Sequence, residues 1–395
     1  MERTELLVVG CGPAGGIAAR EAAAKGIECV VLEKDAVVGA KRVCAAGLRP
    51  GFCEQFNVPR SIVHCNPSVL ALYDEDGIGH SFTMGPAHTT TREELDGTIG
   101  DLARSAGADV RCRALFRTIE FNADSSVVEY ADGNSGTRRR IAARFVFFAS
   151  GATAQFGNGP FTFSRWNDGM LTCYQHRVYP ERPVAAEAYD TLELHYYRTR
   201  DGRQVVGWMF PKRDHLAVGL GVIGKIEGAR LRAELQKFAE RIAARLYPGV
   251  AHTIREEGHL LYGGLPRPVI AHGGAMVGGT AAGLVDATNG EGIYEAAISG
   301  RLAAEACKRF RNSAVNAAAE YARSVKTKFY SRMKRRVALM HFLERQPRRF
   351  AVLFEQLAGT PYLRFLLERE EDHCLTFAER GYLFGQALRF ATRAI

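Results

Sequence analysis

The stretch VVGWMFPKRDHLAVGLG, residues 205–221, sets Trp208 and Phe210 two residues apart, follows them with Pro211 and Lys212, and ends on Gly219-x-Gly221. Residues two apart share a face of a strand, so Trp208 and Phe210 would form one aromatic surface. That surface suits either an ordinary sheet core or the wall of a pocket for a long apolar substrate. A second group lies at Gly10-x-Gly12-x-x-Gly15, directly after an apolar run. Glycines at this spacing hold phosphates when they close a strand and open a helix.

The elements around the glycine loop decide its reading. Residues 6–9 are apolar throughout and predict a buried strand; an alanine-rich helix follows, then a second apolar strand ending at Glu33. Gly10 permits the tight turn, Gly12 lets backbone approach a pyrophosphate, and Gly15 lets helix and strand pack closely. Pro13 and Ala14 complete the loop. The helix start offers free N–H groups and a partial positive charge to the pyrophosphate. Glu33, followed by Lys34, would accept hydrogen bonds from a ribose diol. The motif alone does not separate FAD from NAD; its place near residue 1 favours FAD.

A second small-residue cluster spans 274–305. It reads as a short strand at 275–277, a loop containing Gly279, Thr280 and Gly290, and a helix from about Gly292 with Ile293, Ala297, Gly300 and Ala304 on one face. The N–H groups of Gly292 and Ile293 would face the N1/O2 edge of a flavin, where negative charge gathers on reduction. The two segments together predict one discontinuous FAD domain.

Here the chain resembles the geranylgeranyl reductase family, within the para-hydroxybenzoate-hydroxylase-like flavoproteins. That family carries Y-x-W-x-F-P, a short spacer and G-x-G. In this chain seven residues separate Trp208-x-Phe210-Pro211 from Gly219-x-Gly221, and FPKRDHLAVGLG is similar to the chlorophyll and bacteriochlorophyll branch. Lys41-Arg42-Val43-Cys44-Ala45-Ala46-Gly47 looks like the family's cysteine–glycine loop beside the flavin. Thr91-Arg92-Glu93-Glu94-Leu95-Asp96 looks like its R-x-x-F-D segment, whose arginine reaches FAD. Residues 109–120 look like the strand whose backbone, near Phe116, contacts adenine, and 145–151 resemble the strand before an A-D-G turn. Three positions depart from the pattern: Val206 stands for Tyr, Thr280 for the Asp of G-D-A-A-G, and Ser150 for the Asp of A-D-G.

The resemblance implies an α/β architecture. A discontinuous Rossmann-like FAD-binding domain (1–65, 88–155 and 260–312) would carry a β-sheet substrate domain (66–87 and 156–259) and a helical C-terminal region (313–395). It implies reduction of isolated C=C bonds in a polyprenyl chain, by hydride from reduced flavin and a proton from an acid. Positive charge developing on a tertiary carbon would be stabilised by the faces of Trp208 and Phe210 in a pocket that excludes water. Cys44 is the candidate gate or proton relay, against a plain buried cysteine. Lys212 is either a contact for a substrate diphosphate or carboxylate, or a solvated surface lysine. The alternatives are a monooxygenase or halogenase on the same fold, a reductase of another prenylated lipid or quinone, and a non-catalytic lipid- or pigment-binding protein.

Gly219-Leu-Gly221-Val-Ile-Gly224 repeats the dinucleotide spacing, but a charged amphipathic helix at 227–247 follows, not a βαβ unit. NADPH would therefore dock transiently over the flavin, or a ferredoxin-type donor would supply electrons. The net charge of +9 favours anionic partners. Ten Lys/Arg against one acid between 322 and 349, with Phe329, Met333, Val337, Met340 and Phe342 at helical spacing, predict either a basic amphipathic helix on an anionic membrane or a helix packed on the core. No zinc, helix-turn-helix or stacking motif accompanies the charge, so no nucleic-acid partner is expected. Nine irregularly spaced cysteines and the isolated pairs His64-Cys65 and His373-Cys374 argue against a disulfide framework and a metal site. With no signal peptide and no apolar run of roughly 20 residues, the expected location is cytoplasmic, peripheral on the inner face of the membrane.

Overall fold

The strand expected at 6–9 is the second half of Glu2–Val9, and Leu6, Leu7 and Val8 are fully buried. Such a continuous apolar run suits a strand covered on both faces. The structure is a computed structural model. It describes all residues except 41–43, 86, 123–124, 155, 157–158, 183–188, 200–201, 224–226, 372–374 and 393–395, and the backbone alone of 368–371. The Lys41-Arg42-Val43 part of the cysteine loop, Gly224 and the His373-Cys374 pair lie outside the described residues.

Glu2–Val9 sits in an eight-stranded sheet between Thr137–Phe148 and Cys29–Leu32, parallel to both. Ala275–Val277 adds in parallel beyond Thr137–Phe148, and Asp109–Arg111 beyond Cys29–Leu32. The helices Pro13–Ala24 and Ile293–Arg309 pack on this sheet and on each other. Their approach depends on glycine: a Cβ on Gly300 would lie 2.1 Å from the carbonyl oxygen of Ala14. The single strand expected over 109–120 is two, Asp109–Arg111 and Ala114–Phe121. Arg113 breaks it with φ +58°, and the second strand pairs with Ser126–Asp132 instead of continuing the parallel ladder.

A second sheet has seven strands in the order His252–Tyr262, Met170–Pro180, Leu216–Ile223, Gln204–Pro211, Thr191–Arg198, Val69–Tyr73 and Gly79–Thr83. One face is covered by the helix Gly228–Leu246 through Leu231, Leu235, Phe238 and Ile242. The other looks towards the first sheet.

The helices after residue 313 divide between these two bodies. Ala314–Val325 joins the core of the first, where the Tyr321 hydroxyl donates to the Val277 carbonyl at 2.8 Å. Ser331–Arg345 and Arg349–Gly359 bring Met340, Leu343, Phe350 and Phe354 against Leu72, Leu194 and Tyr196 of the second. Phe329, Met333, Val337 and Met340 are therefore buried inside the protein, and the apolar seam read from the sequence packs on the core. No helix among the described residues is long and apolar enough to cross a membrane.

Candidate functional site

The two sheets enclose one continuous cavity of about 1260 Å³. On the first-sheet side its wall carries Gly10, Gly12, Pro13, Ala14, Glu33, Lys34, Arg92, Phe116, Gly279 and Thr280. Cys44, Ala45, Gly47, Gly290, Gly292 and Ile293 also line it, as do Trp208 and Phe210 of the second sheet. Of the sequence-derived site residues, Gly15 and Lys212 are off the wall; Gly15 has a structural place. It lies beneath the loop, where a Cβ would meet the Gly10 carbonyl oxygen at 1.9 Å and a Val8 methyl at 3.0 Å.

Local geometry makes the first-sheet side a nucleotide cradle. Gly10 takes φ +96°, and the helix from Pro13 leaves its first N–H groups facing the cavity. Glu33 accepts from the Cys11 N–H at 2.9 Å and the Asp35 N–H at 3.0 Å. These bonds fix the carboxylate and leave it further lone pairs for a diol. The Arg92 guanidinium lies 3.4 Å from where a Cβ on Gly12 would stand, so a side chain there would crowd it. Arg92 Nε donates to Asp96 Oδ1 at 2.9 Å. Burial pulls its pKa down, but Asp96 and Cys44 beside it outweigh that and raise it, so the arginine stays charged. Charge, bare backbone N–H groups and an anchored carboxylate fit the diphosphate and ribose of FAD.

The second-sheet side is built by alternation. Along Gln204–Pro211, Val205 and Met209 enter the core under the helix Gly228–Leu246, while Val206, Trp208 and Phe210 face the cavity. Leu70, Leu171, Leu192, Leu194 and Leu261 extend that apolar wall. Trp208 lies across the neighbouring strand directly over Gly219, its register partner. A Cβ on Gly219 would stand 2.0 Å from Trp208 Cζ2, and the indole N–H is held by Gln175 Oε1 at 3.0 Å. Phe210 packs on Gly47, whose Cβ would lie 2.7 Å from Cε2. The aromatic pair is thus cavity wall as well as sheet packing.

The 44–47 segment joins the two sides. Ala46 takes φ +47°, its N–H donates to Cys44 Sγ at 3.3 Å, and its carbonyl accepts from the Thr90 N–H at 3.0 Å. Lys212 corrects both readings made for it: it is 1% exposed, and its Nζ donates to the Ala45 carbonyl at 2.5 Å.

One feature is invisible at the level of sequence. Arg49, on the cavity wall, pairs with Glu291 and, at 2.8 Å, with the fully buried Glu295; Arg332 reaches the same Glu295 oxygen at 2.6 Å. Burial pushes the Glu295 carboxyl up, against the pull of Arg49 and Arg332. Arg336 meets Asp286 at 3.3 Å. These ion pairs pin the helix Ser331–Arg345 to the loop and helix start at 286–295. Their members come from three segments with no shared motif; only the high arginine content of 332–336 hinted at a charged partner.

The chain matches no family model. It is 30% identical over 335 residues to the geranylgeranyl diphosphate reductase of rice chloroplasts, an alignment covering 77% of this chain and 66% of that protein. It is 28% identical over 325 residues to the digeranylgeranylglycerophospholipid reductase of Methanoculleus marisnigri, covering 77% and 76%. The chain thus spans about two thirds of the length of the plant protein it matches. Among solved structures, a geranylgeranyl bacteriochlorophyll reductase-like protein of Thermoplasma acidophilum superposes with TM-score 0.78 at 22% identity, over 91% of this chain and 92% of the other. The myxobacterial chondrochloren halogenase, an FAD-dependent halogenase, superposes at 0.66 with 19% identity, over 82% and 80%. The architecture is that of the FAD-binding flavoproteins.

Proposed function

The chain belongs to the geranylgeranyl reductase family, and on that premise we propose that it reduces isolated C=C bonds of a polyprenyl chain of the geranylgeranyl class. The chain would be carried as a diphosphate or attached to a pigment or lipid. The observation that carries this reading is the continuity of the cavity: the apolar wall of Val206, Trp208 and Phe210 opens directly onto the nucleotide cradle across the 44–47 segment. A carbon–carbon double bond without a neighbouring carbonyl has no polar handle, so it must be bound by apolar contact alone.

FAD, when bound, supplies the hydride. The glycine loop, Glu33 and Arg92 would hold it, with the N–H groups of Gly292 and Ile293 turned to the ring. The remaining work falls to side chains of this protein. Leu70, Leu192, Leu194 and Leu261 exclude water and align the prenyl chain. Trp208 and Phe210 present ring faces to the carbon on which positive charge builds, a contact strengthened by desolvation. Cys44, half-buried on the cavity wall, holds the proton for the second carbon. The electron donor is NADPH or a ferredoxin-type protein, either of which suits a basic surface. Lys334, Arg335, Arg345 and Arg348 are exposed outside the buried seam of the last helices and would face anionic headgroups where a lipid-borne substrate resides.

The test is mass spectrometry of an anaerobic reaction between dithionite-reduced holoprotein and geranylgeranyl diphosphate. Products heavier by one H2 per reduced bond, lost in Trp208→Ala, are expected. An unchanged prenyl chain with every carrier tried, alongside oxygen-dependent hydroxylation or halogenation, would overturn the reading in favour of a monooxygenase or halogenase.

A further inference from the structure

We propose that Lys212 is a positioning residue for the Cys44 loop: it ties down the Ala45 carbonyl and places a positive charge beside the Cys44 thiol, stabilising the thiolate left when that thiol gives up its proton. This rests on the reading of Cys44 as proton donor.

The placement of Lys212 is costly and therefore informative. It follows Pro211 in the turn between the strands Gln204–Pro211 and Leu216–Ile223, a position that ordinarily points to solvent. Its own N–H closes the turn on the His215 carbonyl at 2.7 Å, yet its side chain runs inward and is 1% exposed. An ammonium taken out of water is expensive unless compensated. Here it gains the Ala45 carbonyl at 2.5 Å and the face of Phe210 at 5.9 Å. Packing alone would be served at lower cost by methionine or leucine. The same turn is braced by Thr89, whose hydroxyl donates to the Pro211 carbonyl at 2.6 Å. The hairpin that carries the aromatic wall therefore also clamps the cysteine loop, and Lys212 is the clamp's charged member.

Burial lowers the Lys212 pKa to about 7, with Cys44 and Cys65 pulling it up and Arg177 pushing it down. The other groups around it do not change charge in the same range. Burial takes His215 down to about 4 and lowers His64, against their partners Asp214 and Glu94. Burial raises the Cys65 thiol. Arg177, despite burial, is held charged by Glu257 and Glu93, and Arg92 by Asp96. Arg213 is exposed beside His64, its backbone N–H donating to His64 Nδ1 at 3.4 Å. Below about pH 7, then, Lys212 carries its charge beside Cys44; as pH rises through that value the charge, and its support of the thiolate, are lost.

The experiment reads the thiol directly and needs no prenyl substrate. Holoprotein with oxidised FAD is treated with iodoacetamide, and Cys44 alkylation is timed by peptide mass spectrometry between pH 6 and 9. At pH 6 the native protein should react about tenfold faster than Lys212→Met, because a thiolate beside a cation is favoured. By pH 9 the two should converge. Lys212→Gln keeps a donor for the Ala45 carbonyl without the charge; with FAD content as the measure of folding, it should behave as Lys212→Met. In the native protein alone, the rate should rise between pH 6 and 8 by less than the roughly tenfold per pH unit of an isolated thiol, since each proton lost from Lys212 withdraws support. Equal rates at pH 6 in native protein and either folded variant, or a native profile with the full isolated-thiol slope, would overturn the proposal. A protein that fails to reduce prenyl chains but shows the Lys212-dependent profile would sink the reductase reading and leave the electrostatic coupling standing.

Discussion

The two sheets that share the cavity recognise by opposite means. The first offers backbone: Gly12 and the helix start from Pro13 present N–H groups, and its glycines clear space for a ligand or for close packing of elements. The second offers side chains, and its glycines serve a neighbour's ring, as Gly219 serves Trp208. The glycine loop and Glu33 of the first lie within a few tens of residues; the second draws its wall from strands between Val69 and Tyr262. Damage to the first should therefore abolish cofactor binding, and damage to the second should spare the cofactor and disturb the substrate.

Gly15→Ala tests the first half of this contrast and should have the largest effect. Its Cβ would stand 1.9 Å from a backbone oxygen, which no rotamer change relieves, so the helix must move off its strand. We expect a loss of about 3 kcal/mol or more, seen as a lower thermal midpoint, and colourless purified protein. Full FAD occupancy in this variant would contradict the division.

Trp208→Ala should do the reverse. FAD absorbance is retained, while prenyl reduction falls on the order of 100-fold, about 2.7 kcal/mol of transition-state stabilisation. Loss of FAD would mean that the aromatic wall supports the cradle. Gly219→Ala is the milder version. The new methyl at 2.0 Å from Cζ2 displaces the indole and breaks its bond to Gln175, costing about 1–3 kcal/mol of stability and about tenfold in kcat/KM. A shifted tryptophan emission should accompany it; an unchanged emission and rate would show that the ring's position is immaterial.

The same contrast explains what the sequence made legible. The strand–Gly10-x-Gly12-x-x-Gly15–helix–strand–Glu33 unit is local, and each residue type answers to a backbone constraint within that unit. The alternation of Val206, Trp208 and Phe210 also reads directly, because strand period fixes which side chains share a face. Lys212 did not, since a basic residue in a hairpin turn is ordinarily exposed; its partner, Ala45, lies 167 positions away. The Arg49–Glu295–Arg332 pairs were hidden for the same reason. In the C-terminal region, periodicity gave the apolar seam of Met333, Val337 and Met340, but a period states that a face is covered and not by what. The break at Arg113 escaped because nothing in its residue type announces a positive φ.

Val206→Tyr should have the smallest effect and sharpens the comparison most. In the register of the second sheet Trp208 stands opposite Gly219, and Val206 stands opposite Gly221. The family pattern places aromatic residues at both positions; here the second glycine remains and its aromatic partner is absent. Gly221 lines the cavity beside Val206, and Cys173, Leu171 and the edge of Trp208 close round the position its Cβ would take. A tyrosine at 206 would lean into the cavity among these side chains, as Trp208 leans over Gly219. FAD content and folding should be unchanged. The expected outcome is a change of a few-fold in KM and fewer bonds reduced per chain, because the added ring narrows the channel along which the prenyl chain advances. Product distributions from geranylgeranyl diphosphate, resolved by mass spectrometry, check this. An identical distribution would show that the cavity beside Gly221 is not on the path of the chain.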